Sequence, residues 1–323
     1  MLPQTCIQLR EYEMALAHTP VLLDELLELL RPAKGETAID CTFGAGGHAE
    51  AVAAALGAKG RLIAVDRDPS VAEFFRDVAK AAPCACELYH GNFSDVLAER
   101  ETASVDIVYM DLGVSSMQLD RRERGFSYAY DAPLDMRMDP ELEVTAADLC
   151  NTLQENELTD IFRRYGEERY AKSIARGIVI TRKKTPFTTT CELVEVIKRN
   201  IPTPARFAAG NPSRRVFQAL RIVVNDELGS LTRGLDEAYR VLRPGGRLAA
   251  ISFHSLEDRM VKEFFKGKAA GCICPPGLPQ CACGHEPSMR VLTRKPVTPR
   301  AAEAESNPRS KSAKLRVAVR LED

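Results

Sequence analysis

Between Asp40 and His48 the chain reads Asp-Cys-Thr-Phe-Gly-Ala-Gly-Gly-His, and a further acid, Asp66, closes the stretch Gly-Arg-Leu-Ile-Ala-Val-Asp. Glycines let the backbone turn sharply from a strand into a helix and let a ligand approach the main chain. A carboxylate about 20 residues beyond such a turn is placed to accept hydrogen bonds from both hydroxyls of a ribose. The spacing therefore predicts a socket for an adenosine-bearing cofactor. Gly44-Ala-Gly46-Gly47-His48-Ala49 formally fits a dinucleotide pattern, which keeps an NAD-dependent oxidoreductase open as a reading. Asp40 and Asp111, however, end two expected strands on either side of the glycine turn. Such an acidic rim suits the ammonium and sulfonium of S-adenosylmethionine better than a diphosphate, which seeks a bare helix N-terminus.

The elements that must hold these residues follow from periodicity. Leu22, Leu23, Leu26, Leu27 and Leu30 form one stripe of a helix that ends near Pro32. Thr37 to Asp40 reads as a strand, Ala49 to Leu56 as a helix, Arg61 to Val65 as a strand, and Asp68-Pro-Ser as the start of another helix. Val105 to Met110 is a further buried strand, stopped by Asp111-Leu-Gly. Strands alternating with helices predict an α/β fold, a mostly parallel sheet with helices on both faces. From about Arg121 to Glu227 the strand signal disappears and helical periodicity takes over. The sheet pattern resumes with a helix near Leu235 to Leu242 and a strand over Arg247 to Phe253. A helix near Glu257 to Phe265 follows, then two closing strands near Arg290 to Lys295 and Leu315 to Arg320, readable as an antiparallel pair.

The totals place this architecture among soluble proteins. The chain has 323 residues, 45% hydrophobic and 28% charged, so one large or two modest domains can each bury a core. No apolar run approaches the roughly 18 residues of a membrane span, and the first seventeen residues lack the features of a secretory signal. A cytoplasmic location without membrane contact is expected, with the ten cysteines mostly reduced. A net charge of −1 hides an asymmetry: residues 121–227 carry net +2, residues 288–323 net +5 and the remainder net −8. Localised positive charge is what an RNA-contacting surface requires.

Eight ordered blocks make the chain recognisable: His18-Thr-Pro-Val-Leu-Leu-Asp-Glu, Thr42-Phe-Gly-Ala-Gly-Gly-His, Asp66-Arg-Asp-Pro, Asp111-Leu-Gly-Val-Ser-Ser-Met-Gln-Leu-Asp, Arg124-Gly-Phe-Ser-Tyr, Leu134-Asp-Met-Arg-Met-Asp, Ile251-Ser-Phe-His-Ser-Leu-Glu-Asp-Arg and Asn307-Pro-Arg-Ser-Lys-Ser-Ala-Lys-Leu-Arg. From about residue 18 onward it resembles the bacterial 16S rRNA cytosine-N4 methyltransferases. The resemblance implies a class I methyltransferase (Rossmann-like) sheet with an inserted, mainly helical substrate-recognition subdomain. The implied boundaries are 18–120 with 228–323 for the cofactor domain and 121–227 for the insert; residues 1–17 form an extension, with Met14 an alternative start. It further implies S-adenosylmethionine as cofactor and 16S rRNA as partner, within the small ribosomal subunit, and leaves a homodimer open. By the same resemblance Gly46, Gly47 and His48 contact the cofactor at the turn and Asp66 takes the ribose. Phe93 walls the adenine, while Asp111 and Gln118 lie near the methionyl end.

A cytosine amine is a poor nucleophile, because its lone pair is drawn into the ring, and it needs an acceptor to orient it and take up charge as the methyl transfers. Asp111 is the first choice for that role and His254 the second, although His254 could equally be a helix cap. Asp135, Arg137 and Asp139 clamp RNA or pair with one another. Arg214, Arg215, Arg309, Lys311, Lys314 and Arg316 are candidate phosphate contacts. Phe126, Tyr128 and Tyr130 stack on an unpaired base or pack the insert against the sheet. Cys272, Cys274, Cys281, Cys283 and His285 could surround a tetrahedral zinc, but Cys-x-Cys is a less usual spacing than Cys-x2-Cys. A reduced surface loop is the other reading, and no metal ligand is assigned. A non-catalytic RNA-binding or ribosome-assembly factor that retains the fold is the remaining alternative.

Overall fold

The computed structural model of the chain describes residues 20–206, 212–272, 274 and 283–322. The extension over 1–17 with Met14, His18 and Thr19 of the first block, and Cys281 lie outside the described residues. The chain divides into two compact units, Met1–Gly113 with Gly229–Asp323, and Val114–Leu228.

The first unit is built on a seven-stranded sheet: β1 Thr37–Asp40, β2 Arg61–Asp66, β3 Ala85–His90, β4 Val105–Asp111, β5 Leu242–Ser252, β6 Met289–Val291 and β7 Lys314–Arg320. Their order across the sheet is β3-β2-β1-β4-β5-β7-β6. Strands β1 to β5 pair in parallel, and β7 runs antiparallel to both β5 and β6. Leu62 to Val65 and Ile107 to Met110 are continuously buried. Parallel strands covered by helices on both faces demand such runs. The core under one face joins Ile39, Ile63, Val108 and Leu248 to Leu97, Leu231, Leu235, Val261 and Phe265 from the flanking helices. The order reverses between β1 and β4, and the crevice beyond the carboxyl ends of the strands at such a reversal is where an α/β sheet binds its ligand. The sheet and its antiparallel closing pair agree with the expectation from periodicity; β3 was not foreseen.

The second unit contains the helices Ala146–Thr152, Glu155–Arg164, Ala171–Arg182, Thr190–Arg199 and Pro212–Val224. Thr145 and Asp148 form a reciprocal capping box at the first of these. Glu157 and Glu192 accept the Gln154 and Thr189 N–H groups at the second and fourth. The unit has its own core, including Leu134, Leu158, Phe162, Ile174, Leu193 and Leu220. Phe126 lies inside that core, Tyr128 meets Phe217 edge-on at 5.8 Å, and the Tyr130 hydroxyl donates to the Leu119 carbonyl. These aromatics therefore pack among the insert's own helices. Arg137 grips Asp135 through two hydrogen bonds of 2.9 and 2.7 Å, so this acid and base pair with one another, while Asp139 accepts the Glu141 N–H. Among the described residues no helix is long and apolar enough to cross a membrane.

Candidate functional site

The glycine turn joins β1 to the helix Gly47–Leu56. Gly46, the residue before that helix, has φ +82°, and a Cβ there would come within 2.7 Å of Phe43 and 2.8 Å of Val78. A Cβ on Gly47 would collide with the ring of Pro20. Glycine is needed at the first position for its backbone angle and at the second for close approach. Asp66 fastens the turn: its Oδ2 accepts the Gly44 N–H at 2.8 Å and its Oδ1 the Asp68 N–H at 2.9 Å. Each oxygen keeps a lone pair, so the carboxylate remains able to accept two ribose hydroxyls while being held in orientation by the backbone.

Asp40 and Asp111 end the neighbouring strands β1 and β4. Thr42 ties them together, donating its N–H to Asp40 Oδ1 at 3.0 Å and accepting the Asp111 N–H on its hydroxyl at 2.6 Å. Asp40 is buried, and that burial, with Asp66 nearby, pushes its carboxyl up to about 7 despite the Thr42 hydrogen bond. Burial also lifts Asp66 above the ordinary carboxylate range. Asp111 is raised much further, by burial first and then by the charges of Asp40 and Glu257. Its Oδ1 is buried and has no hydrogen-bond partner among the described residues. A buried carboxylate oxygen without a donor is costly, and an ammonium or other cation would supply what it lacks.

His48 completes this edge. Its Nε2 lies 2.9 Å from the Val21 carbonyl, which accepts its hydrogen, and its Nδ1 lies 3.8 Å from Asp111 Oδ2. Burial pushes the imidazole down to about 4, so it is neutral at pH 7 and adds no positive charge to compete with a cationic ligand. Burial thus raises the proton affinity of Asp40, Asp66 and Asp111 at one sheet edge, with Asp66 adding to the effect at Asp40, and Asp40 and Glu257 adding to it at Asp111. The arrangement fits S-adenosylmethionine, whose ammonium and sulfonium are cationic and whose ribose offers hydroxyls. It repels a pyrophosphate.

The remaining expected residues have other surroundings. Phe93 opens the helix Phe93–Ala98, is 7% exposed, and lies with its ring against Gly234 in the sheet unit's core. Gln118 belongs to the second unit, where its Oε1 accepts the Ser115 N–H and its own N–H donates to the Ser115 hydroxyl. His254 caps the helix Ser255–Lys268, accepting the Glu257 N–H on Nδ1, while Glu257 Oε2 accepts the N–H groups of Phe253 and His254. Its Nε2 is 3.1 Å from Glu257 Oε1. The His254-x-x-Glu257 spacing carried that capping signal; nothing in the sequence marked Thr42 as the link between two acids.

Among the candidate phosphate contacts, Lys314 and Arg316 both bind Asp258, at 3.1 and 2.7 Å, and Arg215 binds Glu168 at 2.6 Å. Burial alone would raise Asp258, but its two cationic partners bring it below the ordinary range. Arg214, Arg309 and Lys311 are exposed.

Comparison with known proteins extends this picture along the whole chain. Residues 15–321 match the MraW methylase family. The ribosomal RNA small subunit methyltransferase H of Symbiobacterium thermophilum is 51% identical over 312 residues, covering 96% of this chain and 98% of that protein. The proteins of the same name from Heliobacterium modesticaldum and Syntrophotalea carbinolica are 48% and 49% identical, over 95% and 94% of this chain and 100% and 98% of theirs. With a family match across both units and near-half identity to full-length relatives, the chain belongs to the MraW methylase family.

Proposed function

We propose that this chain methylates the exocyclic N4 amine of a cytidine in the decoding region of 16S rRNA, with S-adenosylmethionine as donor and the small ribosomal subunit as the form in which the RNA is presented. The observation that carries the reading is the group of carboxyls at the carboxyl edge of β1, β2 and β4, with a neutral His48 beside them. That edge selects a cation bearing a ribose. When bound, S-adenosylmethionine supplies a methyl group made electrophilic by its sulfonium. Gly46 and Gly47 would admit it to the backbone, Asp66 would hold its ribose, and Asp40 and Asp111 would face its positive end. The family resemblance adds Phe93 to the set that bounds it.

The target amine must lose a proton as it gains the methyl. Burial and the neighbouring acids make Asp111 a stronger proton acceptor than an ordinary carboxylate, once a cation beside it has drawn off its own proton. It stands at the end of β4, where the Thr42 hydroxyl accepts its main-chain N–H and holds the backbone at that point. His254 enters as the residue that fixes, with Glu257, the turn following β5. The exposed bases Arg214 and Lys311 would meet RNA phosphates, which position a substrate without reading its sequence.

The decisive experiment is transfer of labelled methyl to small subunits that lack their own modification, followed by nucleoside analysis. Label in N4-methylated cytidine is expected; label on a ring carbon or ribose rejects the amine assignment. The nicotinamide alternative is separated by titration, since NAD binding without S-adenosylmethionine binding would favour it.

A further inference from the structure

We propose that Cys272, Cys274 and Cys283 bind a zinc ion that closes the loop between the helix Ser255–Lys268 and β6. The three side chains stand together although eight residues separate Cys274 from Cys283 in sequence: one sulfur from each lies within 4.8 Å of the other two. The Sγ atoms of Cys283 and Cys272 are 3.8 Å apart. A disulfide would bring them to about 2.05 Å. Four sulfurs at about 2.3 Å from a tetrahedral zinc are instead about 3.8 Å from each other, the edge of the tetrahedron being about 1.6 times its centre-to-corner distance. The observed separation fits two ligands on one ion, and the third sulfur within the same reach sets this cluster apart from the Cys84–Cys86 contact at 3.9 Å.

The loop also needs a clasp. Its neck is shut by the Ser288 N–H and hydroxyl, both donating to the Lys268 carbonyl, at 2.8 and 3.3 Å. Its described residues between these two points contain neither helix nor strand. A connection of this size, beyond about 15 residues, is uncommon without internal structure or a cross-link. Cys272 is exposed and Cys274 and Cys283 are half-buried, so no apolar core is on hand to hold them together. Cys281 lies outside the described residues, so the assignment is made on the three sulfurs. A thiolate set of this kind takes a soft or borderline ion, and zinc needs no redox partner to stay bound. The role is structural, since the ligands belong to one loop and the ion would close it.

The test is metal analysis of the full chain purified without chelator from zinc-replete cells. About one zinc per chain is expected, released on modification of the thiols, as a closed thiolate site requires. C272S, C274S and C283S should each reduce bound zinc by roughly tenfold, in line with loss of a ligand. Because a variant that fails to fold would mimic that loss, the unmodified chain is also stripped and titrated with Co2+. The expected result is the intense visible absorption of tetrahedral thiolate cobalt, displaced by added zinc. A chain with no zinc and a weak octahedral cobalt spectrum overturns the proposal, as does a triple serine variant that keeps its zinc.

Discussion

Replacing Asp40 with asparagine should make the ligand-free protein more stable at alkaline pH while weakening cofactor binding. Asp40 is buried at the end of β1 with its Oδ1 on the Thr42 N–H, a bond that an asparagine oxygen can keep. Its carboxyl is raised from 3.8 to about 7 by burial. A folded-state pKa above the unfolded value means that the folded state holds the proton more tightly. Stability from this group is therefore complete below about pH 4 and lost as pH climbs through 7, at about 1.4 kcal/mol per unit. Between pH 5 and 8 the loss amounts to about 3 kcal/mol. His48 works in the opposite sense, because its pKa is lowered from 6.5 to about 4: its contribution is present above 6.5 and is lost as pH falls toward 4. His48 offsets only part of this loss, because Asp66 and Asp111 are raised as well and lose stability with pH in the same sense as Asp40, so the wild-type curve should fall as pH rises and only the difference between D40N and wild type isolates Asp40. Urea unfolding across pH 5 to 8 should show that difference growing by about 3 kcal/mol in favour of D40N. Calorimetric titration with S-adenosylmethionine at pH 6, in buffers of different ionisation enthalpy, should report more proton release by wild type than by D40N, the Asp111 proton being common to both. Parallel stability curves for the two proteins would refute the reasoning, because Asp40 would then not titrate where its burial places it.

Other perturbations probe neighbouring parts of the site. Asp66→Asn should weaken S-adenosylmethionine binding by roughly 100-fold in calorimetry, since charge-assisted hydrogen bonds contribute about 1.5–3 kcal/mol each; unchanged affinity would remove Asp66 from the ribose. Gly46→Ala forces a Cβ into the left-handed region and against Phe43 and Val78, and should cost about 3 kcal/mol by urea midpoint. Glu257→Ala strips the acceptor from the Phe253 and His254 N–H groups and should destabilise by about 2–4 kcal/mol, with a loss near zero showing that water replaces the cap.

The sheet was legible where both faces are covered. Thr37–Asp40 and the Arg61 and Val105 strands announce themselves as apolar runs between turn signals. Ala85–His90 did not, because it is the edge strand beside β2 and its side chains are mostly half-exposed, leaving Cys-Glu-Leu-Tyr without a continuous apolar stretch. The carboxylates Asp40, Asp66 and Asp111 could be picked out because each stops a strand. What the sequence could not reveal is how they are held. Asp66 fastens Gly44, and the Thr42 hydroxyl reaches Asp111; both contacts join residues far apart in the chain with no local spacing rule, whereas the Thr42 N–H to Asp40 bond is a local turn. Aromatic residues were ambiguous for a related reason. Phe126 and Phe93 have the same composition as base-stacking or adenine-walling residues, yet each fills a core cluster of its own unit.

The position of β7 between β5 and β6 has a consequence for synthesis. On the ribosome, β1 to β4 emerge first, and residues 114–228 must then be translated before β5 can pair with β4. During that interval the nascent sheet exposes an open β4 edge rich in Ile107, Val108 and Met110, the kind of template on which chains aggregate. The helical unit, whose hydrophobic core is drawn from residues 126–224, can complete that core meanwhile. Maturation of the sheet then waits for Lys314–Arg320, the last strand to be made. Slowing translation near residue 200, when β4 has left the ribosome and β5 has not been made, should therefore lower the yield of soluble enzyme more than an equal pause after residue 322.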